Sequence, residues 1–202
     1  MHLKNELIRQ RLASFAAEYS PSTEKSSSRV SNRKLHPAAV LIPFIYRDET
    51  WHVLFIHRAD NANDRHSGQV AFPGGRTNPN DTNALETALR ETREEIGVTP
   101  RQIEIFGKLN DFVTVTDYRI TPFVGAIPAS AKLTRQPEEV RRIFTIPLVW
   151  LANPNNFTIS ERRDNADNAL QLITYREYDH EVLWGASARI MHTLLHALKL
   201  LP

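Results

Sequence analysis

The sequence contains no cysteine among its 202 residues. Disulfide bonds, thiolate-ligated metal sites and a cysteine nucleophile are therefore excluded. Any metal ion that this chain binds must be held by carboxylates, histidines or backbone carbonyl oxygens. The absence narrows the candidate sites to those built from oxygen and nitrogen ligands.

Long hydrophobic runs and a strong charge of one sign are also missing. The formal net charge is +2. No run approaches the roughly 20 apolar residues that a transmembrane helix needs, and the first 19 residues mix charged with apolar side chains, unlike a secretory signal. The basic pairs Arg141-Arg142 and Arg162-Arg163 are isolated, which favours a solvated surface over nucleic-acid binding. We expect a cytoplasmic protein without membrane or nucleic-acid partners.

The length and a hydrophobic content of 41% suit one well-buried domain with an appended arm. Apolar residues recur at helical spacing over residues 2–19 and predict an amphipathic helix. The serine-rich segment 20–34 is typical of a linker. We therefore expect an arm over 1–34 and a folded domain over 35–202. The helix must pack on this domain or on a second subunit, so a homodimer is one of two arrangements that the pattern allows.

Alternation of strand-like and helix-like segments indicates an α/β fold. Pro43, inside the first strand-like run, indicates a bulge or a sheet edge. Apolar periodicity predicts a final helix over 183–201. Strands are predicted at 37–46, 51–57, 103–115, 119–127, 157–159 and 169–176.

The most informative stretch is FPGGRTNPNDTNALETALRETREEIGV, in the first half of the chain. Gly74 and Gly75 follow a short apolar run and permit a tight turn and a close backbone approach to a ligand. A helix should follow, with Thr82 or Asn83 as its N-cap. Gly97 is the expected stop. The stretch therefore predicts a glycine turn followed by one helix.

Three acids of this helix, Glu91, Glu94 and Glu95, stand at positions i, i+3 and i+4 and project from one face. Like charges at this spacing repel, so a cation among them is favoured. Mg²⁺ and Mn²⁺ prefer such oxygen ligands. Arg90 lies one turn from Glu86 and Glu94 and can neutralise and orient one acid. The opposite stripe, which we expect to be buried, consists of Leu85, Leu89, Thr92 and Ile96.

A charged, solvated helix is the alternative interpretation of these acids. The glycines, the arginine and the stop signal all stand in register, which favours a phosphate and metal site. Gly75 followed by residues 90–98, RETREEIGV, resembles the sequence box of the Nudix hydrolases. The spacer before Arg90 is one residue longer than the common form and carries Asp81 in place of Glu, and Thr92 replaces a larger aliphatic residue.

The segment before the box is similar to the additional signature of the coenzyme A diphosphatase branch of that family. The similar runs are residues 54–59, LFIHRA, and residues 68–75, GQVAFPGG. The interval between Arg58 and Gly68 is one residue longer than in the signature, which leaves Arg65 only loosely matched. Arginine suits bidentate contacts with phosphate. The substrate-binding residues that the resemblance implies are Arg58, Arg65, Gly74 and Gly75.

The resemblance implies the Nudix fold, a mixed β-sheet sandwiched between helices in an α/β/α arrangement. Glu91, Glu94 and Glu95 would hold Mg²⁺ or Mn²⁺, and Arg90 would belong to the catalytic set. A downstream loop acid often completes the site in this family, and Glu139, directly before a valine, matches that pattern. The general base is then Glu94, Glu95 or Glu139, and the sequence does not separate them.

The activity implied is metal-dependent hydrolysis of the diphosphate bond of coenzyme A or its thioesters, giving 3′,5′-ADP and 4′-phosphopantetheine or its acyl derivative. One alternative is a Nudix diphosphatase acting on ADP-ribose or another nucleoside diphosphate derivative, because the box is common to these enzymes. A second alternative is a Nudix module that senses a nucleotide without turnover. The Nudix isomerases are disfavoured because they are expected to use a catalytic cysteine.

Overall fold

The computed structural model describes residues 3–18, 34–60, 68–163 and 169–201. Arg65 lies outside the described residues. The helices within these ranges are α1 (Asn5–Glu18), α2 (Ala84–Ile96), α3 (Leu148–Leu151) and α4 (Gly185–Ala197), with single 3₁₀ turns at Pro100–Gln102 and Pro154–Asn156. The strands are β1 (His36–Arg47), β2 (Thr50–Arg58), β3 (Val70–Ala71), β4 (Gly74–Arg76), β5 (Glu104–Lys108), β6 (Phe112–Val113), β7 (Tyr118–Ala126), β8 (Val140–Pro147), β9 (Phe157–Arg163) and β10 (Ala169–Tyr175).

Strand β1 is the centre of a mixed sheet. On one edge it runs parallel to β7 along its first nine residues, from His36 opposite Tyr118 to Phe44 opposite Ala126. On the other edge it pairs antiparallel with β4 at its start and with β2 at its end. The sheet continues from β2 to β3 and β8, and from β7 to β5 and β6. Strands β9 and β10 form the separate hairpin that the sequence predicts.

Helices cover both faces of this sheet. Alternate side chains of a strand point to opposite faces. Ala39 and Leu41 of β1 pack with Ala88 of α2, whereas Ile42 and Phe44 belong to the larger cluster that holds the apolar residues of α1 and α4. The predicted α/β/α arrangement is confirmed. No helix among the described residues is long and apolar enough to cross a membrane.

Helix α1 packs on its own domain, which was one of the two arrangements expected. Ile8 and Leu12 are buried in the larger cluster. The indole Nε1 of Trp51 donates a hydrogen bond to the carbonyl oxygen of Leu3 over 2.7 Å. Arg9 forms an ion pair of 2.7 Å with Glu104 of β5. The apolar face of the helix is therefore satisfied within the chain.

Two strand predictions need correction. Pro43 lies in the interior of β1, where Gly125 faces it in β7, and not at a sheet edge. It is tolerated because β4 pairs only as far as Val40 and β2 pairs only from Phe44 onward, so the missing N–H falls in the gap between them. The segment predicted as one strand over 103–115 is two, β5 and β6, interrupted at 109–111.

Helix α2 begins and ends as predicted, but its buried stripe differs. The side chain of Asn83 accepts a hydrogen bond from the N–H of Glu86 at the N-terminus. The fully buried residues are Thr87, Ala88, Thr92, Glu95 and Ile96, whereas the predicted Leu85 and Leu89 are only partly buried. Small side chains on this stripe let the helix lie close to the sheet. One of the three acids is therefore in the buried face.

The C-terminus of α2 carries the loop that follows β7. Gly97 adopts φ 76°, in the left-handed region, and its N–H bonds to the carbonyl of Arg93. The next carbonyls, of Glu95 and Ile96, accept the N–H groups of Gln136 and Thr134 over 3.0 and 2.9 Å. These bonds satisfy helix-end carbonyls that would otherwise lack partners, and they fix the loop whose next acid is Glu139.

Candidate active site

A cavity of about 520 Å³ lies on the α4 side of the sheet, over the start of β1. Carboxylates and one arginine line one end, and an arginine, an aromatic ring and hydroxyl groups line the other. The floor is small and apolar, from Ala38 and Val40, and the first turn and Ile190 of α4 form the opposite wall. The polar side chains used below are Arg58, Arg76, Glu91, Glu95, Thr114, Thr116, Tyr118 and Glu139.

Glu95 is the most deeply buried acid of the site, with 1% of its surface exposed. Its Oε2 accepts the N–H of Gly74 over 2.8 Å, and Arg58 Nη1 stands 3.7 Å from its Oε1. Burial raises the pKa of Glu95 to about 8, and the charges of Glu91 and Glu139 act in the same direction, whereas the Gly74 N–H and Arg58 oppose it. The site therefore favours a cation beside this carboxylate.

The two glycines of β4 have different neighbours. A Cβ on Gly75 would lie 2.5 Å from Cδ of Glu91, so the missing side chain makes room for that carboxylate. A Cβ on Gly74 would instead lie 2.6 Å from Cα of Val40, in the backbone of β1. Burial raises the pKa of Glu91, and its contact with Arg90 opposes the shift. Gly74 thus serves strand packing and Gly75 serves the acid.

Arg90 is surrounded by acceptors and does not line the cavity. Its Nε and Nη2 bind the two carboxylate oxygens of Asp81, each over 2.9 Å. Its Nη1 binds Glu91 over 2.8 Å and Glu94 over 3.0 Å, and Nη2 also reaches the carbonyl of Arg76 over 3.2 Å. The hydrogen bonds from Arg90 hold the pKa of Asp81 well below its usual range. Arg90 therefore positions Glu91.

The predicted pairing of Arg90 with Glu86 is wrong. The carboxylate of Glu86 accepts the backbone N–H of Thr82 over 2.7 Å and its hydroxyl over 2.6 Å, as the acid of a helix N-terminus does. The guanidinium instead turns to Asp81, which the sequence presented as a turn residue. A carboxylate fixed by its own turn offers both oxygens in the plane of the guanidinium, and such bidentate pairs are strong.

The three acids predicted to share one face are separated in the structure. Glu91 and Glu95 line the cavity, whereas Glu94, with a side chain 46% exposed, is held by Arg90 and is not among the described residues that line it. No three histidine or acidic side chains within the described ranges converge closely enough to hold a metal ion by themselves. A complete protein cage is therefore not preassembled.

Glu139 reaches the cavity because of an irregularity between two strands. The register of β2 against β8 shifts after His57, so that Arg58 faces Val140. The N–H of Ala59 then donates to the carbonyl of Glu139 over 2.8 Å. The shift places Glu139 and Arg58 side by side at the acidic end, as the sequence interpretation requires.

The acidic end fits a divalent cation. Glu91, Glu95 and Glu139 offer only carboxylate oxygens, which suit Mg²⁺ and Mn²⁺. Mg²⁺ in particular is usually held by one or two carboxylates together with water and substrate phosphates. Two or three acids around one cavity match that mode without a closed cage, and a cation would offset the mutual repulsion that raises the pKa of Glu95.

Some of the site could not be found from the sequence. The start of α4 lines the cavity although it lies about a hundred residues from the glycine turn, and its helical pattern signals only core packing. Tyr118 and Arg76 also line it, and neither was singled out. Arg76 had one usable signal, its place directly after Gly75.

The family model for the NUDIX domain matches residues 35–192. The chain belongs to the Nudix hydrolase family. Its members act on pyrophosphate bonds and are generally dependent on divalent metal ions. This Nudix hydrolase is 35% identical over 158 residues to the uncharacterized Nudix hydrolase NudL of Yersinia pestis strain Pestoides F, covering 78% of this chain and 77% of that protein.

Two solved structures illustrate the structural comparison. A MutT/nudix family protein from Enterococcus faecalis gives a TM-score of 0.49 at 18% identity, over 98% of this chain and 73% of that one. The NUDIX domain of Shewanella oneidensis NrtR, crystallised with ADP-ribose, gives 0.44 at 22% identity, over 67% of this chain and 82% of that one.

The two glycines should respond differently to alanine. Gly74→Ala places Cβ against the backbone of β1, so we expect its free energy of unfolding to fall by about 2 kcal/mol or more. Gly75→Ala meets only the carboxylate of Glu91, which can rotate away, so stability should change little while turnover falls. Urea unfolding and turnover of both variants test this. Full activity of Gly75→Ala would show that the position of Glu91 is unimportant.

The raised pKa of Glu95 makes stability depend on pH. In the unfolded chain this acid loses its proton near 4.5, whereas in the folded protein it keeps it to about 8. The unfolded state thus binds fewer protons over this window, and stability falls as pH rises through it. In metal-free buffer, Glu95→Gln should gain stability relative to wild type between pH 5 and pH 8, measured by urea unfolding. A difference independent of pH would contradict the assignment.

Proposed function

We propose that this Nudix hydrolase cleaves the diphosphate bond of coenzyme A or its thioesters. The products would be 3′,5′-ADP and 4′-phosphopantetheine or its acyl derivative. The supporting observation is that the segment similar to the coenzyme A signature lines the same cavity as the box acids. The shared residues are Arg58, Gln69, Val70, Phe72, Gly74, Gly75, Glu91 and Glu95.

In this proposal the acids of α2 hold the metal ion. Glu91 and Glu95 are the ligands that already face the cavity, and Glu94 would join them by rotating away from Arg90. A bound Mg²⁺ or Mn²⁺ would neutralise the diphosphate and lower the pKa of the attacking water. Gly75 and Arg90 keep Glu91 in place, and Gly74 keeps Glu95 in place by its N–H.

Arg58 and Glu139 have complementary roles at the same end. The guanidinium of Arg58 would bind the diphosphate oxygens and orient the phosphorus for in-line attack. Glu139 would accept the proton of the attacking water, because it is exposed to the cavity while Glu95 is buried and already bonded to Gly74. Loss of Glu139 should then lower kcat more than it changes substrate binding.

Two further predictions belong to this proposal. A cytoplasmic location stays a prediction. The buried face of α1 packs on its own domain, so a homodimer would need a different surface.

Product analysis tests the substrate. Purified protein with Mg²⁺ or Mn²⁺ is given coenzyme A, acetyl-coenzyme A, ADP-ribose, NADH and diadenosine tetraphosphate, and kcat/KM is compared. We expect the coenzyme A compounds to be cleaved best and Glu95→Gln to lose at least about 100-fold in turnover. Glu177→Gln, at an exposed acid that does not line the cavity, is the matched control.

The outcomes separate the alternatives. A preference for ADP-ribose would overturn the coenzyme A assignment and leave the diphosphatase class intact. Binding of these nucleotides without any turnover would support the sensing module. An active Glu95→Gln variant would show that the chemistry lies elsewhere.

A further inference from the structure

The end of the cavity opposite the acids carries a second arginine, Arg76, beside Tyr118. We propose that these two residues form a subsite for a second anionic group of the substrate, a phosphate monoester on the ribose of a nucleotide, separate from the diphosphate. The inference rests on the proposed function, since coenzyme A carries such a monoester on its 3′ oxygen and ADP-ribose does not.

The sheet register places Arg76 and Tyr118 on one surface. Ala38 of β1 lies between its partners Arg76 in β4 and Ile120 in β7, so these two strands are two spacings apart, about 10 Å. Because Ala38 has only a methyl group, the side chain of Arg76 can cross over β1. Its Cζ lies 5.6 Å from the ring centroid of Tyr118.

The guanidinium is held in place by uncharged groups. One nitrogen, Nη2, bonds to Nδ1 of His36 over 3.1 Å, and the ring of His36 packs 5.7 Å from that of Tyr118. The backbone of Arg76 is fixed in β4, where its carbonyl also accepts a bond from Arg90. An arginine stacked on an aromatic face in this way is preorganised to bind phosphate.

The positive charge of Arg76 is uncompensated in the described part of the chain. Arg76 is exposed and forms no ion pair with a carboxylate there, in contrast to Arg90, which three carboxylates surround. A guanidinium has five N–H donors, and among these residues only His36 accepts one from Arg76. The remaining donors suit a phosphate, which accepts bidentate bonds.

The position of this group differs from that of the diphosphate site. Arg58 stands at the acidic end, 3.7 Å from Glu95, whereas the guanidinium of Arg76 extends toward β7 and away from α2. Thr114 and Thr116, whose hydroxyl oxygens are 2.9 Å apart, line the cavity at the same end as Tyr118 and can donate further hydrogen bonds. The two arginines thus fit two separated anionic groups on one ligand.

The test compares ligands that differ only in the monoester. For turnover, kcat/KM is measured with coenzyme A and 3′-dephospho-coenzyme A. For binding, calorimetry compares 3′,5′-ADP with 5′-AMP, which needs no turnover. We expect the wild type to prefer the 3′-phosphorylated member of each pair and Arg76→Ala to lose that preference by about 10- to 100-fold, as for one charge-assisted contact. The turnover loss should appear in KM, because the monoester is remote from the reacting phosphorus.

Two further variants isolate the effect. Arg119→Ala removes the same charge from the neighbouring residue of Tyr118, whose side chain points to the opposite face of β7, and should leave the preference unchanged. Tyr118→Phe keeps the aromatic face under the guanidinium and should behave as wild type, whereas Tyr118→Leu should lose part of the preference.

Each outcome decides the proposal. An equal loss for both members of a pair in Arg76→Ala would place Arg76 on the diphosphate and overturn the subsite, as would equal wild-type binding of 3′,5′-ADP and 5′-AMP. If coenzyme A is not hydrolysed but 3′,5′-ADP binds more tightly through Arg76, the proposed function fails and the subsite stands.

Discussion

The buried carboxylate of Glu95 is the constraint to which the other parts of the site are fitted. It lies at the end of α2 with 1% of its surface exposed, beside two further acids, and only a backbone N–H and one distant guanidinium oppose its repulsion. Such an arrangement is costly in an isolated protein. It becomes favourable when a cation shares the cavity, which is the condition under which a family of metal-dependent hydrolases works.

The surrounding structure keeps the acids in place through separate local devices. Gly75 leaves space for Glu91, and the Asp81–Arg90 pair directs that carboxylate. The loop fastened to the end of α2 and the register shift between β2 and β8 bring Glu139 to the same cavity. Since these devices lie in different elements, the site depends on the whole sheet.

Local signals in the sequence predicted much of this arrangement. Asn83 and Gly97 bound α2 as expected because capping depends on adjacent residues alone. The orientation of Glu94 was not predictable, because helical spacing places side chains on a face but does not choose which acid a neighbouring arginine binds. The Arg76–Tyr118 contact was missed because it requires the pairing of β4 and β7 around β1, which no local pattern reveals.

Metal binding at Glu95 is the central claim, and Mn²⁺ titration followed by electron paramagnetic resonance measures it directly. The account predicts a saturable Mn²⁺ site for which Mg²⁺ competes. Its affinity should fall by at least about 10-fold in Glu95→Gln, while Glu177→Gln should bind as wild type does. Equal Mn²⁺ affinity in wild type and Glu95→Gln would contradict the account.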